Sequence, residues 1–281
     1  MIRYLLLLIS VLLLSCSPVR KYQSLPEVKA WENDIQKFEQ LDKSEKYSDN
    51  AILFAGSSSI RLWTTLEKDM APYPVIQRGY GGAKLSDFVV YSKRIFDTHQ
   101  CRAIVIFIAN DIMGSPQDKN PDEVAALFRN VLKTIRSTHP KTPVFWIAIT
   151  PTASRWKVWP QIQTVNSKIQ KICEKQKNTY FIKTDYAFLN DKGLPIDEYF
   201  RDDKLHLTEK GYSVWTGIIK KELNRVLENK IIVPGSRFEV QSSQSKSSTS
   251  SQYSACITPA ILLYLSLSQF EVCRKLFFRV S

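Results

Sequence analysis

Four short stretches of this sequence carry groups that, taken together, suit acyl transfer. Gly56-Ser57-Ser58-Ser59-Ile60 places hydroxyls where an apolar run gives way to a turn. A Ser at such a junction can project its oxygen from a sheet edge while its N–H joins the unpaired first donors of a helix. Serines also cap helices, and the cluster by itself fits a cap better than a nucleophile. Gly79-Tyr80-Gly81-Gly82 concentrates three of the nine glycines in four residues. That composition lets backbone N–H groups approach a ligand closely, and it also suits a plain tight turn. Ala109-Asn110-Asp111 offers a carboxamide able to donate to a developing oxyanion, or a turn-forming pair. Asp203-Lys204-Leu205-His206 sets a carboxylate three residues before an imidazole, in a charged loop. The first stretch is not the GxSxG elbow, because Ile60 stands where that pattern has Gly, and no GxGxxG fingerprint is present.

These groups matter only if the chain brings them to one place. Apolar runs at AILFAG (51–56), PVIQRG (74–79), AIVIFIAN (103–110), PVFWIAIT (143–150) and TYFIKTD (179–185) predict five strands. Helical spacing appears at Val28, Trp31, Ile35, Phe38 and Leu41 after Pro26, and again from Leu85 to Phe96. It recurs from Pro121 to Ile135, over 160–177, and from Tyr212 to Val226. Strands that are apolar throughout have both faces covered. Five of them separated by helices predict an α/β fold, a three-layer α/β/α sandwich around a five-stranded parallel sheet. In such sheets reactive groups gather in the crevice beyond the carboxyl ends of the strands. Ser58, Gly82 and Asn110 follow successive strands to that edge. His99 and His139 belong to the opposite edge, which leaves His206, with Asp203, to meet Ser58.

In this joint order the blocks resemble the SGNH/GDSL-family hydrolases, over roughly residues 50–228. The resemblance implies a flavodoxin-like fold and a serine esterase working through an acyl-enzyme, with Ser58, Asp203 and His206 catalytic. It further implies an oxyanion hole built from Ser58, Gly82 and Asn110, and no metal or organic cofactor. Two positions depart from the family pattern. Ser57 replaces the usual Asp of the first block, so Ser57 and Ser59 stand as rival nucleophiles, and Ile108 replaces a Gly. The resemblance and location together imply short acyl groups, such as acetyl, on a carbohydrate or lipid-like substrate. Trp156 and Trp159, in SRWKVWP (154–160), are placed to stack on a sugar ring or else to cover the core. The alternative is a non-catalytic envelope lipoprotein that binds a glycan or lipid in the same pocket.

The ends of the chain read differently from its centre. Residues 4–14 form an apolar run of 11, too short to span a bilayer, that follows Arg3 as an export signal does. Leu13-Leu14-Ser15-Cys16 resembles a bacterial lipobox, which implies a signal peptide over 1–15 and a lipid anchor on Cys16. The alternative is a soluble secreted protein in which Cys16 is incidental. Residues 16–49 are expected as a linker and helix, 50–230 as the hydrolase domain, and 231–281 as a Ser-rich linker with an apolar, basic tail. The expected location is the bacterial cell envelope, with membrane contact through the anchor. Of 281 residues, 39 are Lys or Arg and 27 Asp or Glu, a net charge of +12. The basic residues are scattered without a run or module, so nucleic acid is not expected as a partner. Cys101 and Cys173 lie in neither a CxxC nor a zinc spacing.

Overall fold

The structure, a computed structural model, describes residues 18–228. The expected signal peptide, Cys16 and the tail 231–281 lie outside the described residues. Five parallel strands run β1 (Ile52–Gly56), β2 (Val75–Gly79), β3 (Ala103–Phe107), β4 (Val144–Ile147) and β5 (Thr179–Ile182), in the spatial order β2-β1-β3-β4-β5. Every residue of β1, β3 and β4 is buried, as expected for strands covered on both faces. Nine α-helices accompany them among the described residues. They are α1 (Pro18–Gln23), α2 (Pro26–Lys29), α3 (Glu32–Ser44), α4 (Ser58–Arg61), α5 (Leu66–Met70), α6 (Leu85–Phe96), α7 (Pro121–Thr138), α8 (Trp159–Lys175) and α9 (Glu209–Leu227). Helices α6, α7 and α8 pack side by side, while α9 packs on α5. The result is the predicted three-layer sandwich.

The strand order reverses between β1 and β3. Connections leave these two neighbours in opposite directions and open a crevice at their carboxyl ends. The register sets Gly56 level with Gly79 on one side and Phe107 on the other, so three loops start from one line. Gly56 has φ +152°, and a Cβ there would stand 2.0 Å from the Phe107 carbonyl oxygen. A Cβ on Gly79 would stand 2.4 Å from the Arg61 nitrogen. These two glycines let the turn carrying Ser58 sit tightly on the sheet edge.

Several boundaries differ from the sequence reading. The third, fourth and fifth strands each end three residues earlier than their apolar runs. Past β4, Asn166 of α8 takes over, accepting from the Ile149 N–H and donating to the Ile149 carbonyl, both at 2.9 Å. The first helix is broken into α2 and α3 around Trp31, and Leu41 is exposed rather than part of the apolar stripe. From Pro18 onward the segment expected as linker and helix packs into the domain. Val28 and Ile35 are fully buried, and Asp42 pairs with buried Arg78 of β2. The Trp31 ring lies 5.2 Å from that of Tyr80, bracing the glycine loop after β2.

Candidate active site

The turn after β1 presents its three serines unequally. The Ser57 N–H donates to the Phe107 carbonyl at 2.9 Å, which carries the sheet ladder one residue past the strand. Ser57 and Ser59 are buried, at 1% and 8% exposure, whereas Ser58 is half-buried and opens α4. At that position its N–H has no intrahelical acceptor. Tyr212 of α9 donates its hydroxyl to the Ser59 carbonyl at 2.9 Å, and its ring stacks on Trp63 at 5.2 Å. The turn is therefore clamped from the sheet below and from α9 beside it.

The imidazole of His206 reaches this turn from 148 residues away. Its Nε2 stands 2.9 Å from Ser58 Oγ, and its Nδ1 stands 2.6 Å from Asp203 Oδ2. The other Asp203 oxygen accepts the N–H groups of Leu205 and His206, each at 2.9 Å. The intervening Lys204 has φ +55°, a conformation uncommon for a side-chain-bearing residue, and this closes the turn. Burial pushes the Asp203 carboxyl up, but the hydrogen bonds from the His206 ring and from the two N–H groups outweigh it and bring it down to about 2. At neutral pH Asp203 is thus an anion that fixes a proton on Nδ1 and leaves Nε2 to accept from the serine. Among the three serines, the hydrogen bond of the imidazole goes to Ser58.

Asn110 lies beyond the end of β3 and is buried, at 7% exposure. Its Nδ2 donates to the Ala83 carbonyl at 3.0 Å, and its Oδ1 accepts from Arg155 Nη2 at 2.6 Å. The first bond ties Asn110 to the loop that carries Gly82, which is itself exposed. Two carboxyls hold that loop at its helical end, with Asp87 Oδ2 accepting the Lys84 N–H and Asp111 Oδ2 the Leu85 N–H. Burial, reinforced by Asp111 nearby, pushes Asp87 up to about 6. Burial also raises Asp111, against the pull of Lys119, whose Nζ stands 3.3 Å from it.

Ser58 and Asn110 both line a narrow cleft whose inner wall is Phe107 and Trp215, with Thr150, Thr152, Arg155 and Leu205 around it. Its volume is about 20 Å³, room for about one water-sized group. Thr150 Oγ1 is buried there without a hydrogen-bond partner among the described residues.

Trp156 and Trp159 do not line this cleft. They stack on each other, with centroids 6.2 Å apart, and Trp159 is buried as the first residue of α8. For Trp159 this favours the alternative of a packing role, while Trp156 is half-buried and packs against the edge of the core. The same stretch contributes Arg155 instead, which the sequence reading passed over. Arg155 and Thr150 follow β4 at the strand's carboxyl end, and that position was the available signal. Among the described residues Cys101 and Cys173 are unpaired, and burial pushes both thiols up to about 12, unsuited to nucleophilic work at neutral pH.

Comparison with known proteins extends this geometry. Residues 48–214 match the family model described as GDSL-like Lipase/Acylhydrolase. A protein of Streptococcus pneumonia described as a candidate platelet activating factor superposes with a TM-score of 0.61 at 20% identity, covering 69% of this chain and 93% of its own. A GDSL-like lipase of Bacteroides thetaiotaomicron gives 0.57 at 15% identity, covering 68% and 97%. A family 3 carbohydrate esterase of Clostridium thermocellum gives 0.51 at 16% identity, covering 64% and 98%. At these identities the likeness to solved structures is one of fold. No curated protein matches the chain.

Proposed function

Because this chain belongs to the GDSL-like lipase/acylhydrolase family of ester hydrolases, we propose that it cleaves carboxylic esters through an acyl-enzyme on Ser58. The observation that carries the assignment is the chain of short contacts from Asp203 through His206 to Ser58 Oγ, at 2.6 and 2.9 Å. His206 Nε2 takes the hydroxyl proton as Oγ attacks the ester carbonyl. Asp203 holds the imidazole in the required tautomer and stabilises it once charged. The oxyanion forms within reach of the Ser58 N–H and the Asn110 carboxamide, with the Gly82 N–H as the third donor. His206 then returns its proton to the leaving alcohol. Water, activated by the same imidazole, breaks the acyl–Ser58 bond and releases the acid.

Cleft size supports a short acyl group. A volume of about 20 Å³ beside Phe107 and Trp215 suits a methyl-sized tail better than a fatty chain. We therefore assign acetyl or a similarly small acyl as the group transferred, from a carbohydrate or lipid-like alcohol. The carbohydrate side of this assignment draws support from the fold shared with the family 3 carbohydrate esterase. Lipidation at Cys16 would hold the enzyme at a membrane of the cell envelope, where acylated glycans and lipids are at hand. Turnover of p-nitrophenyl acetate, butyrate and octanoate, with acetylated xylan beside them, tests the reading. The expected order is acetate well above octanoate. Equal turnover of octanoate contradicts the short-acyl assignment, and turnover that survives Ser58→Ala contradicts the nucleophile. Mass spectrometry of the mature N-terminus tests the anchor, with a diacylated Cys16 expected and an unmodified residue contradicting it.

A further inference from the structure

Arg155 is a buried guanidinium, 8% exposed, at the wall of the cleft, and the proposed reaction gives it no task so far. Among the described residues none supplies a carboxylate at ion-pair distance, and Asp118 and Asp111 act on it only from farther away. Its two short hydrogen bonds go elsewhere. Nη1 donates to the Ala109 carbonyl and Nη2 to Asn110 Oδ1, both at 2.6 Å. Burying a cation without a paired anion is costly, so the contacts it does make are the place to look for its purpose.

Those contacts settle which end of the Asn110 side chain is which. A guanidinium has donors only, so it can face the amide oxygen and not the nitrogen. The Ala83 carbonyl has acceptors only, so it can face the nitrogen and not the oxygen. Asn110 is held between them, with Oδ1 on Arg155 and one Nδ2 hydrogen on Ala83 at 3.0 Å. The second Nδ2 hydrogen is the one left for the cleft. Turning the amide over would set NH2 against the guanidinium and an oxygen against a carbonyl. A positive charge on Oδ1 also draws density from the nitrogen, which makes the remaining N–H a stronger donor. The neighbouring Ser154 N–H donates to the Lys204 carbonyl at 3.2 Å, so the same segment reaches the turn that carries His206.

We propose that Arg155 is a positioning residue of the oxyanion hole, which fixes and polarises the Asn110 carboxamide so that its free N–H meets the developing charge. This rests on the reading that Asn110 donates to the oxyanion. It places the consequence of losing Arg155 in turnover rather than in substrate affinity, because the charge exists only in the transition state.

The test is a double-mutant cycle on p-nitrophenyl acetate hydrolysis, comparing wild type, Asn110→Ala, Arg155→Met and the double variant. Folding of each is checked by circular dichroism and thermal melting. Arg155→Met is expected to lose about 10- to 100-fold in kcat with KM little changed, part of the effect of removing the donor itself. In the double variant kcat should fall no further than in Asn110→Ala alone, because Arg155 acts through that amide. Should Arg155→Met not fold, Arg155→Lys carries the same cycle. A single ammonium cannot reproduce the fork onto both oxygens, so the same kcat loss and the same non-additivity are expected. Wild-type kcat in a folded Arg155 variant overturns the proposal, as does a double variant whose losses multiply. Wild-type kcat in Asn110→Ala overturns the reading beneath it, and that outcome is seen without reference to Arg155.

Discussion

Replacing Asp203 by Asn exchanges one oxygen for an NH2, and the geometry dictates which way the new amide turns. Asp203 Oδ1 serves two backbone N–H groups at 2.9 Å, while Oδ2 serves the His206 ring at 2.6 Å. Asn has a single oxygen for these two positions. With oxygen kept on the N–H pair, the NH2 faces Nδ1 and forces that nitrogen to accept. The ring proton then sits on Nε2, and Ser58 has no base. The opposite orientation keeps the base but sets NH2 against two backbone donors. At about 1–3 kcal/mol for each donor left unsatisfied, it is disfavoured by about 2–6 kcal/mol. The Asp203 side chain is 47% exposed, so water can serve those donors and the lower half of the range applies. At about 1.36 kcal/mol per decade, that leaves kcat roughly 30- to 1,000-fold below wild type. The assay is hydrolysis of p-nitrophenyl acetate, paired with ¹⁵N NMR of the His206 ring to locate its proton. A variant that keeps more than about a tenth of wild-type kcat, or whose proton stays on Nδ1, refutes the tautomer argument.

Other outcomes follow from the same contacts. Ser58→Ala and His206→Ala should each remove nearly all turnover, while Ser57→Ala and Ser59→Ala keep the hydroxyl that meets the imidazole and should retain most of it, as measured on the same ester. Asn110→Ala should lose about 10²–10³ in kcat, the usual effect of removing one oxyanion donor, with KM little changed. Gly56→Ala forces a Cβ to within 2.0 Å of the Phe107 carbonyl at φ +152°, so it should lower the melting temperature sharply or prevent folding altogether. Asp87 is held neutral more readily in the folded chain than in the unfolded one. Its stabilising effect is therefore full below about pH 3.8 and is lost as pH rises through about 6. The difference in unfolding free energy between wild type and Asp87→Asn should shift against wild type by up to about 3 kcal/mol between pH 4 and pH 7. Urea titrations at the two pH values measure it, and an unchanged difference contradicts the assignment.

The sheet was legible because its central strands β1, β3 and β4 are apolar throughout, as a layer covered on both sides requires. The strand ends were not, because apolar character continues where the ladder stops. Ile149 stays buried past β4 through its bonds to Asn166, a partner 17 residues on that no local pattern discloses. Leu41 kept the helical period and still faces water, while its neighbour Asp42 turns inward to meet Arg78. Ser58, Asn110, Asp203 and His206 could be found because each sits at a strand's end or just before a helix, where side-chain type and position coincide. Arg155 shares such a position, yet its meaning lies in two oxygens 45 and 46 residues earlier in the chain. The tryptophans beside it drew attention by size, yet they stack on each other away from the cleft.

The central claim is that Ser58 is activated by His206, and covalent labelling reads it directly. The protein is incubated with a fluorophosphonate at neutral pH, and the adduct is mapped by intact mass and peptide sequencing. One adduct on Ser58 is predicted, absent in Ser58→Ala and strongly slowed in His206→Ala. A folded wild-type protein that takes no label, or one labelled on Ser57 or Ser59, contradicts the account.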